Sequence, residues 1–391
     1  MKPEFPGSHD PEPSGRVVSV DIVRGLIIAL MVFVNDASGI DSLPSWLKHA
    51  PPGVDGMTIV DLVFPAFLFI MGMSIPLAVE KRILRGEQWG SIAFHTLVRG
   101  LSLIIIGILL LNRANSHVLG GMWKFLMLLA VFATWHSVKG GGRLSMVIRV
   151  SGMIALIVIT TLFRGEDGHW LHRSWYGILG LIGWAYMIAT VVYVVVRSNR
   201  TALVGSMALL LCVYCAFREG LLHSRWFGGG IVGSQPAIAV AGVILGTVIL
   251  DSGMNPRDRI WWTLVFSGFM AAGAWLLRPL YGISKNGATP SWILWSAVFT
   301  TLIWVVVYLI VDVRHRGRFL YYVAPAGRNA LCAYLLASLV YNILHVTGAS
   351  GLYFSLNRGS AIVGCVRAAA YAVVISGLAG WMGERGFRLK L

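Results

Sequence analysis

HAPPGVDGMTIVDLVFPAFLFIMG, from His49 to Gly72, sets a histidine in a Pro/Gly-rich loop and then an aspartate one turn into an apolar helix. The run continues apolar to about residue 79, long enough to span a bilayer. An ionisable side chain inside such a span is costly and is usually kept for a substrate path or a reaction. His49, just upstream, is the natural partner of Asp61, and the pair marks a candidate active site. Pro65 follows Asp61 by one turn and has no N–H, so the Asp61 carbonyl loses its helical donor. The helix is expected to kink there and to leave an extra acceptor facing the bundle.

The rest of the chain repeats the pattern. Of 391 residues, 57% are hydrophobic and 13% charged, and the mean hydropathy is +0.73. That composition excludes an ordinary soluble domain. Twelve apolar runs can be read, at 18–38, 57–79, 94–112, 121–138, 144–163, 175–196, 201–218, 236–251, 260–280, 291–311, 322–345 and 360–382. Barrel strands would alternate polar and apolar residues, so the expected fold is all-α, a polytopic membrane helical bundle of about twelve spans. The division expected is a disordered cytoplasmic tail at 1–17, one transmembrane domain at 18–383 and a cytoplasmic C-terminal tail at 384–391.

With the N-terminus inside, 21 of the 32 Lys and Arg residues fall on inner segments. This predicts a multi-pass protein of the cell inner membrane with both termini cytoplasmic. It also accounts for the net charge of +15 through topology and contact with anionic membrane lipid, so no nucleic-acid partner is expected. Residues 1–15 have no apolar core of a signal peptide, and the first span is expected to direct insertion. Cys212 and Cys215 lie inside an apolar helix without a second pair, and His169 and His172 have no evident third ligand, so no metal site is expected.

The opening spans carry further polar groups. Ser19 can cap the first helix, with Asp21 in its opening turn and Arg24 three residues on, in reach of Asp21. Asn35 and Asp36 fall at the other end of the same span. Asn35, His49 and Asp61 are expected to approach one another in the outer third of the membrane.

SVDIVRG (Ser19–Gly25), VFVND (Val32–Asp36) and KHAPPGVDGMTIVDLVFPAFLFIMGMSIPLAVEKR (Lys48–Arg82) resemble the opening of the heparan-α-glucosaminide N-acetyltransferase family and its bacterial relatives. SKNGATPSW (Ser284–Trp292) and AGRNALCAYLL (Ala326–Leu336) resemble later family segments. The resemblance implies a transmembrane acyltransferase that takes acetyl from cytoplasmic acetyl-CoA and places it on an amino sugar or other glycan across the membrane. It puts the reactive histidine on His49, the asparagine on Asn35 and the intramembrane aspartate on Asp61. Lys285, Asn286 and Asn329 would then meet the acceptor. The chain departs from the family pattern at Val54-Asp55-Gly56, where the family has tryptophan–asparagine–glycine, and at Gly180-Leu181, where it has glutamine–arginine.

Such chemistry suits these residues. Histidine titrates near neutrality and can take a proton from an amine, or attack a thioester itself. Asp61 can orient the imidazole, and Asn35 can donate to the oxyanion. Arg24, Arg82 and Arg99 are expected to hold the phosphates of the acyl-CoA donor at the basic inner face. The partners expected are acyl-CoA, a glycan acceptor and membrane lipid, with a homodimer as the candidate assembly. The competing reading is a proton-coupled transporter of sugars or other small molecules using Asp61. The lack of an internal repeat and the loop position of His49 stand against it.

Overall fold

Apolar stretches of this length satisfy their backbone polar groups in lipid only as helices, and helices are what the chain forms. The computed structural model describes residues 17–391 except 41, 116, 139, 173–176 and 356–359. It is an all-α polytopic membrane bundle. The helices are α1 (Val18–Ala37), α2 (Ile59–Ile83), α3 (Trp89–Leu111), α4 (Trp123–Trp135), α5 (Gly142–Thr161), α6 (Ile178–Val196) and α7 (Arg200–Arg218). They continue with α8 (Gln235–Leu250), α9 (Pro256–Tyr281), α10 (Pro290–Tyr308), α11 (Ala324–Arg328), α12 (Ala330–Val346), α13 (Ser350–Ser355) and α14 (Ala361–Glu384).

Among the described residues, ten helices are long and apolar enough to cross a membrane, and a bent pair makes an eleventh. These and α4 fall one for one on the twelve expected runs. Two of the runs take a different form from an unbroken span. The run at 121–138 yields in α4 only 13 helical residues, roughly 20 Å of helix against a hydrocarbon core of about 30 Å. The run at 322–345 is broken at Asn329, where Arg318–Arg328 and Ala330–Val346 meet at 77°. Ser19 does not cap α1 but lies inside its first turn. Its N–H donates to Asp312 Oδ2 at 3.2 Å, so a carboxylate from the end of the α10 span satisfies the positive end of α1.

The core is the pair α2 and α8. A methyl group at Gly72 would run into the Ala239 carbonyl, and one at Gly242 into the Phe69 carbonyl. Helices in lipid gain most from such close backbone approach at small residues. The same device joins α3 to α6, where Gly107 faces Gly180 and Gly183 faces Gly100. At the other end of the chain, Arg388–Leu389 (β2) pairs antiparallel with His136–Ser137 (β1). The expected tail at 1–17 lies, except for Val17, outside the described residues.

Candidate active site

Local sequence fixes Asp61 first. Thr58 is the N-cap of α2 and Asp61 its third helical residue. The Asp61 carboxylate reaches back to accept the Thr58 N–H at 3.1 Å and the Thr58 hydroxyl at 3.2 Å on Oδ2. This is the reciprocal half of a capping box. The same oxygen accepts the Ala50 N–H at 3.1 Å, and Oδ1 lies 2.7 Å from His49 Nδ1. An ionised carboxylate only accepts, so Nδ1 carries the proton and Nε2 keeps its lone pair. Asp61 is 1% exposed, whereas the His49 side chain is 49% exposed; the histidine alone of the two can meet a ligand arriving from outside the bundle.

The helix stays continuous through Pro65. The acceptor that Pro65 frees is taken by α10, whose buried Trp292 donates its indole N–H to the Asp61 carbonyl at 3.2 Å. The backbone and side chain of Asp61 are thus both held, one by a tryptophan and the other by a histidine.

Lys285 enters from the loop between α9 and α10. Its Nζ stands 3.0 Å from His49 Nδ1, 3.1 Å from Nε2 and 3.9 Å from Asp61 Oδ1. Nearly equidistant from the two ring nitrogens, the ammonium lies against the face of the imidazole, so the in-plane lone pair of Nε2 stays open. Burial pushes the Lys285 ammonium below the ordinary lysine range, with the Asp61 charge opposing. Ala288 in this loop adopts a left-handed conformation, φ +48°. It is held there by the Ser234 hydroxyl, which donates to its carbonyl at 2.6 Å.

The loops of His49 and Lys285 are stitched together. Asp55 accepts the Ile283 N–H at 2.7 Å and the Arg278 Nε at 2.9 Å, and the Gly56 N–H donates to the Ile283 carbonyl at 3.0 Å. These bonds hold the Asp55 carboxyl below its usual range, the Ile283 N–H first. The remaining residues singled out in the sequence lie elsewhere, except Asn286. Asn35 is exposed at the end of α1 and lines a separate cavity with Asp36 and Lys124. Asn286 is exposed beside Lys285. Asn329 sits far from both in the break before α12, donating to the Ala379 carbonyl at 2.9 Å.

Arg24, Arg82 and Arg99 share one cavity of about 650 Å³ with Arg328, Asn329 and Lys390. Arg24 bonds Asp21 at 3.1 Å and the Ser74 hydroxyl of α2. The Arg99 guanidinium lies 4.9 Å from the Tyr186 ring centre. The cavity follows α2 from Arg82 to Phe67, roughly 22 Å along the axis, and stops about 9 Å short of Asp61. The sequence reading missed Thr58, Trp292 and Asp55. The spacing Thr58-x-x-Asp61 was a usable signal for the first; the other two act across more than 200 positions of chain. Among the described residues no three metal-ligating side chains converge.

A multi-span bundle with a His–Asp–Lys cluster at one end of α2 and an arginine-lined cavity along the rest is thus the class of molecule. The chain belongs to DUF5009, a domain of unknown function, whose family model matches residues 16–225. It is 43% identical over 102 residues to heparan-alpha-glucosaminide N-acetyltransferase of Homo sapiens, covering 25% of this chain and 14% of that protein. The Mus musculus protein of the same name is 39% identical over 100 residues, with the same coverage. The match therefore spans a small part of the length of these relatives.

Proposed function

We propose that the protein is a transmembrane acyltransferase that moves an acetyl group from acetyl-CoA to an amino-sugar or other glycan acceptor, with His49 as general base. The observation that carries this reading is that one helix, α2, has a base–carboxylate pair at one end and a polybasic cavity along the remainder. Arginine guanidinium groups suit the phosphates of coenzyme A. The cavity is long enough for a narrow acyl-bearing arm to run most of the way toward His49. Donor and acceptor would then meet near the Asp61 end of α2, the donor coming from the cytoplasmic face if the Lys/Arg bias sets the orientation.

In the step proposed, the acceptor nitrogen or oxygen gives its proton to Nε2. The acceptor attacks the thioester carbon, and the oxyanion that forms is met by the Lys285 ammonium. Collapse breaks the C–S bond, and His49 returns the proton to the leaving thiolate. Asp61 stabilises the imidazolium between the two transfers. Asn35, expected from its chemistry to donate to the oxyanion, lines the neighbouring cavity, so Lys285 is the better-placed group.

The test is transfer of labelled acetyl from acetyl-CoA to a panel of amino sugars in proteoliposomes. Wild-type protein should form product, and His49→Ala should lose transfer by about 10²–10⁴-fold while remaining folded. Acceptor accumulating inside the vesicles without acetyl-CoA, and unmodified, would replace this reading with a transporter.

A further inference from the structure

A second polar cavity, of about 230 Å³, opens between α1, α4, α12 and α14 at the end of the bundle that also holds His49. Asn35, Lys124, Ser338, Tyr341 and Asn342 are among its walls, with Tyr334 shared with the arginine-lined cavity. One wall is electrically closed. Asp36 accepts Arg367 at 2.7 Å on Oδ2 and the Tyr353 hydroxyl at 3.0 Å on Oδ1. The paired side chains are 1% and 8% exposed. The Asp36 charge is therefore spent on Arg367.

Among the described residues Lys124 has no such partner. Among the described residues no carboxylate lies within 4 Å of it, and the charge it feels most is a second cation, Arg113. An ammonium at a helix-lined cavity in an apolar bundle is costly unless an anion or a wet ligand answers it. Around it the amides of Asn35 and Asn342 and the hydroxyls of Ser338 and Tyr341 offer neutral polar contacts, and the volume suits a single small ring or headgroup. The same cationic surplus makes this cavity a poor seat for a protonated amine, which separates it from the His49 site.

We infer that this cavity binds a small polar ligand bearing one oxyanion, a carboxylate or phosphate, with Lys124 as its charge contact. The inference stands apart from the transfer reaction, since no atom of His49, Asp61 or Lys285 takes part. Two sources share the chemistry, a soluble sugar acid and the phosphate of an anionic lipid.

The experiment is calorimetric titration of the purified full-length protein in phosphatidylcholine nanodiscs with glucuronate, glucose and glucosamine, repeated in discs containing phosphatidylglycerol. Glucuronate should bind about tenfold or more tightly than glucose, and glucosamine more weakly still. Lys124→Met should erase the preference, Lys124→Arg should keep it, and His49→Ala should leave it intact. If the lipid is the occupant, phosphatidylglycerol should block glucuronate and raise Tm in the wild type but not in Lys124→Met. Equal binding of the three sugars together with no Lys124-dependent effect of phosphatidylglycerol would overturn the inference. So would an anion preference that survives Lys124→Met.

Discussion

At the residue scale the proposed chemistry turns on the neighbours of His49. Asp61→Asn keeps the size of the side chain and one oxygen for the cap, but it cannot stabilise an imidazolium. Turnover should fall by about 10³–10⁴-fold with the fold intact. A variant with near wild-type kcat in the acetyl-transfer assay would reduce Asp61 to a helix cap. Lys285 sets a pH dependence. Burial lowers its folded pKa below the unfolded value of about 10.4, so the ammonium is lost at lower pH than in a free lysine. The unfolded chain binds more protons across that window, so the Lys285 contribution to stability rises with pH there while the charge that the proposed reaction uses disappears. The rate profile should therefore show an alkaline limb below pH 10.4 without a matching loss of Tm. Lys285→Arg, which stays charged, should move that limb upward. An unmoved limb would assign it to another group.

At the element scale, α2 and α8 bear the tightest packing. Gly242→Leu must push apart backbones that already touch, because Gly242 faces the Phe69 carbonyl. The cost should be at least about 1–3 kcal/mol, seen as a lowered Tm in detergent, whereas the same change at Gly205 on α7, which has open space around it, should be near neutral. Helix identity was readable in the sequence because apolar runs of span length have one backbone solution in lipid. Helix form was not. The 13-residue length of α4 and the 77° break at Asn329 leave no mark in the apolar pattern, nor does the close approach of Gly327 to the Asp21 carbonyl of α1 beside that break. The His49–Asp61 contact was readable because both residues lie within one local turn of chain and helix start. The Trp292 and Lys285 contacts were not, since nothing in the spacing says which later loop folds back over α2.

At the scale of the whole molecule, the two ends of α2 set different expectations. If the arginine-lined cavity holds the donor, Arg99→Ala should raise the apparent KM for acetyl-CoA. Added salt should weaken donor binding in the wild type as well. Unchanged donor affinity in Arg24→Ala, Arg82→Ala and Arg99→Ala alike would move the donor elsewhere. Orientation is testable separately: cysteines engineered near His9 and Lys390 should resist labelling from outside intact cells, and labelling of either would reverse the Lys/Arg reading. Arg24, Arg82 and Arg99 were singled out from the basic inner face, and that they line one cavity is seen only in the fold. The contribution of Arg328 and Lys390 to the same walls was not anticipated, because it depends on the break before α12 and on the pairing of β2 with β1.

The stitch between Asp55, Gly56 and Ile283 has a consequence in time as well as in space. Two loops separated by more than 200 positions are joined by the Asp55 carboxylate and one backbone bond, so neither can open without releasing the other. Exposed loops ordinarily exchange their amide hydrogens with solvent quickly. Here the amides of Gly56 and Ile283 should exchange slowly and at a common rate, set by one shared opening, and replacing Asp55 by alanine should speed both together.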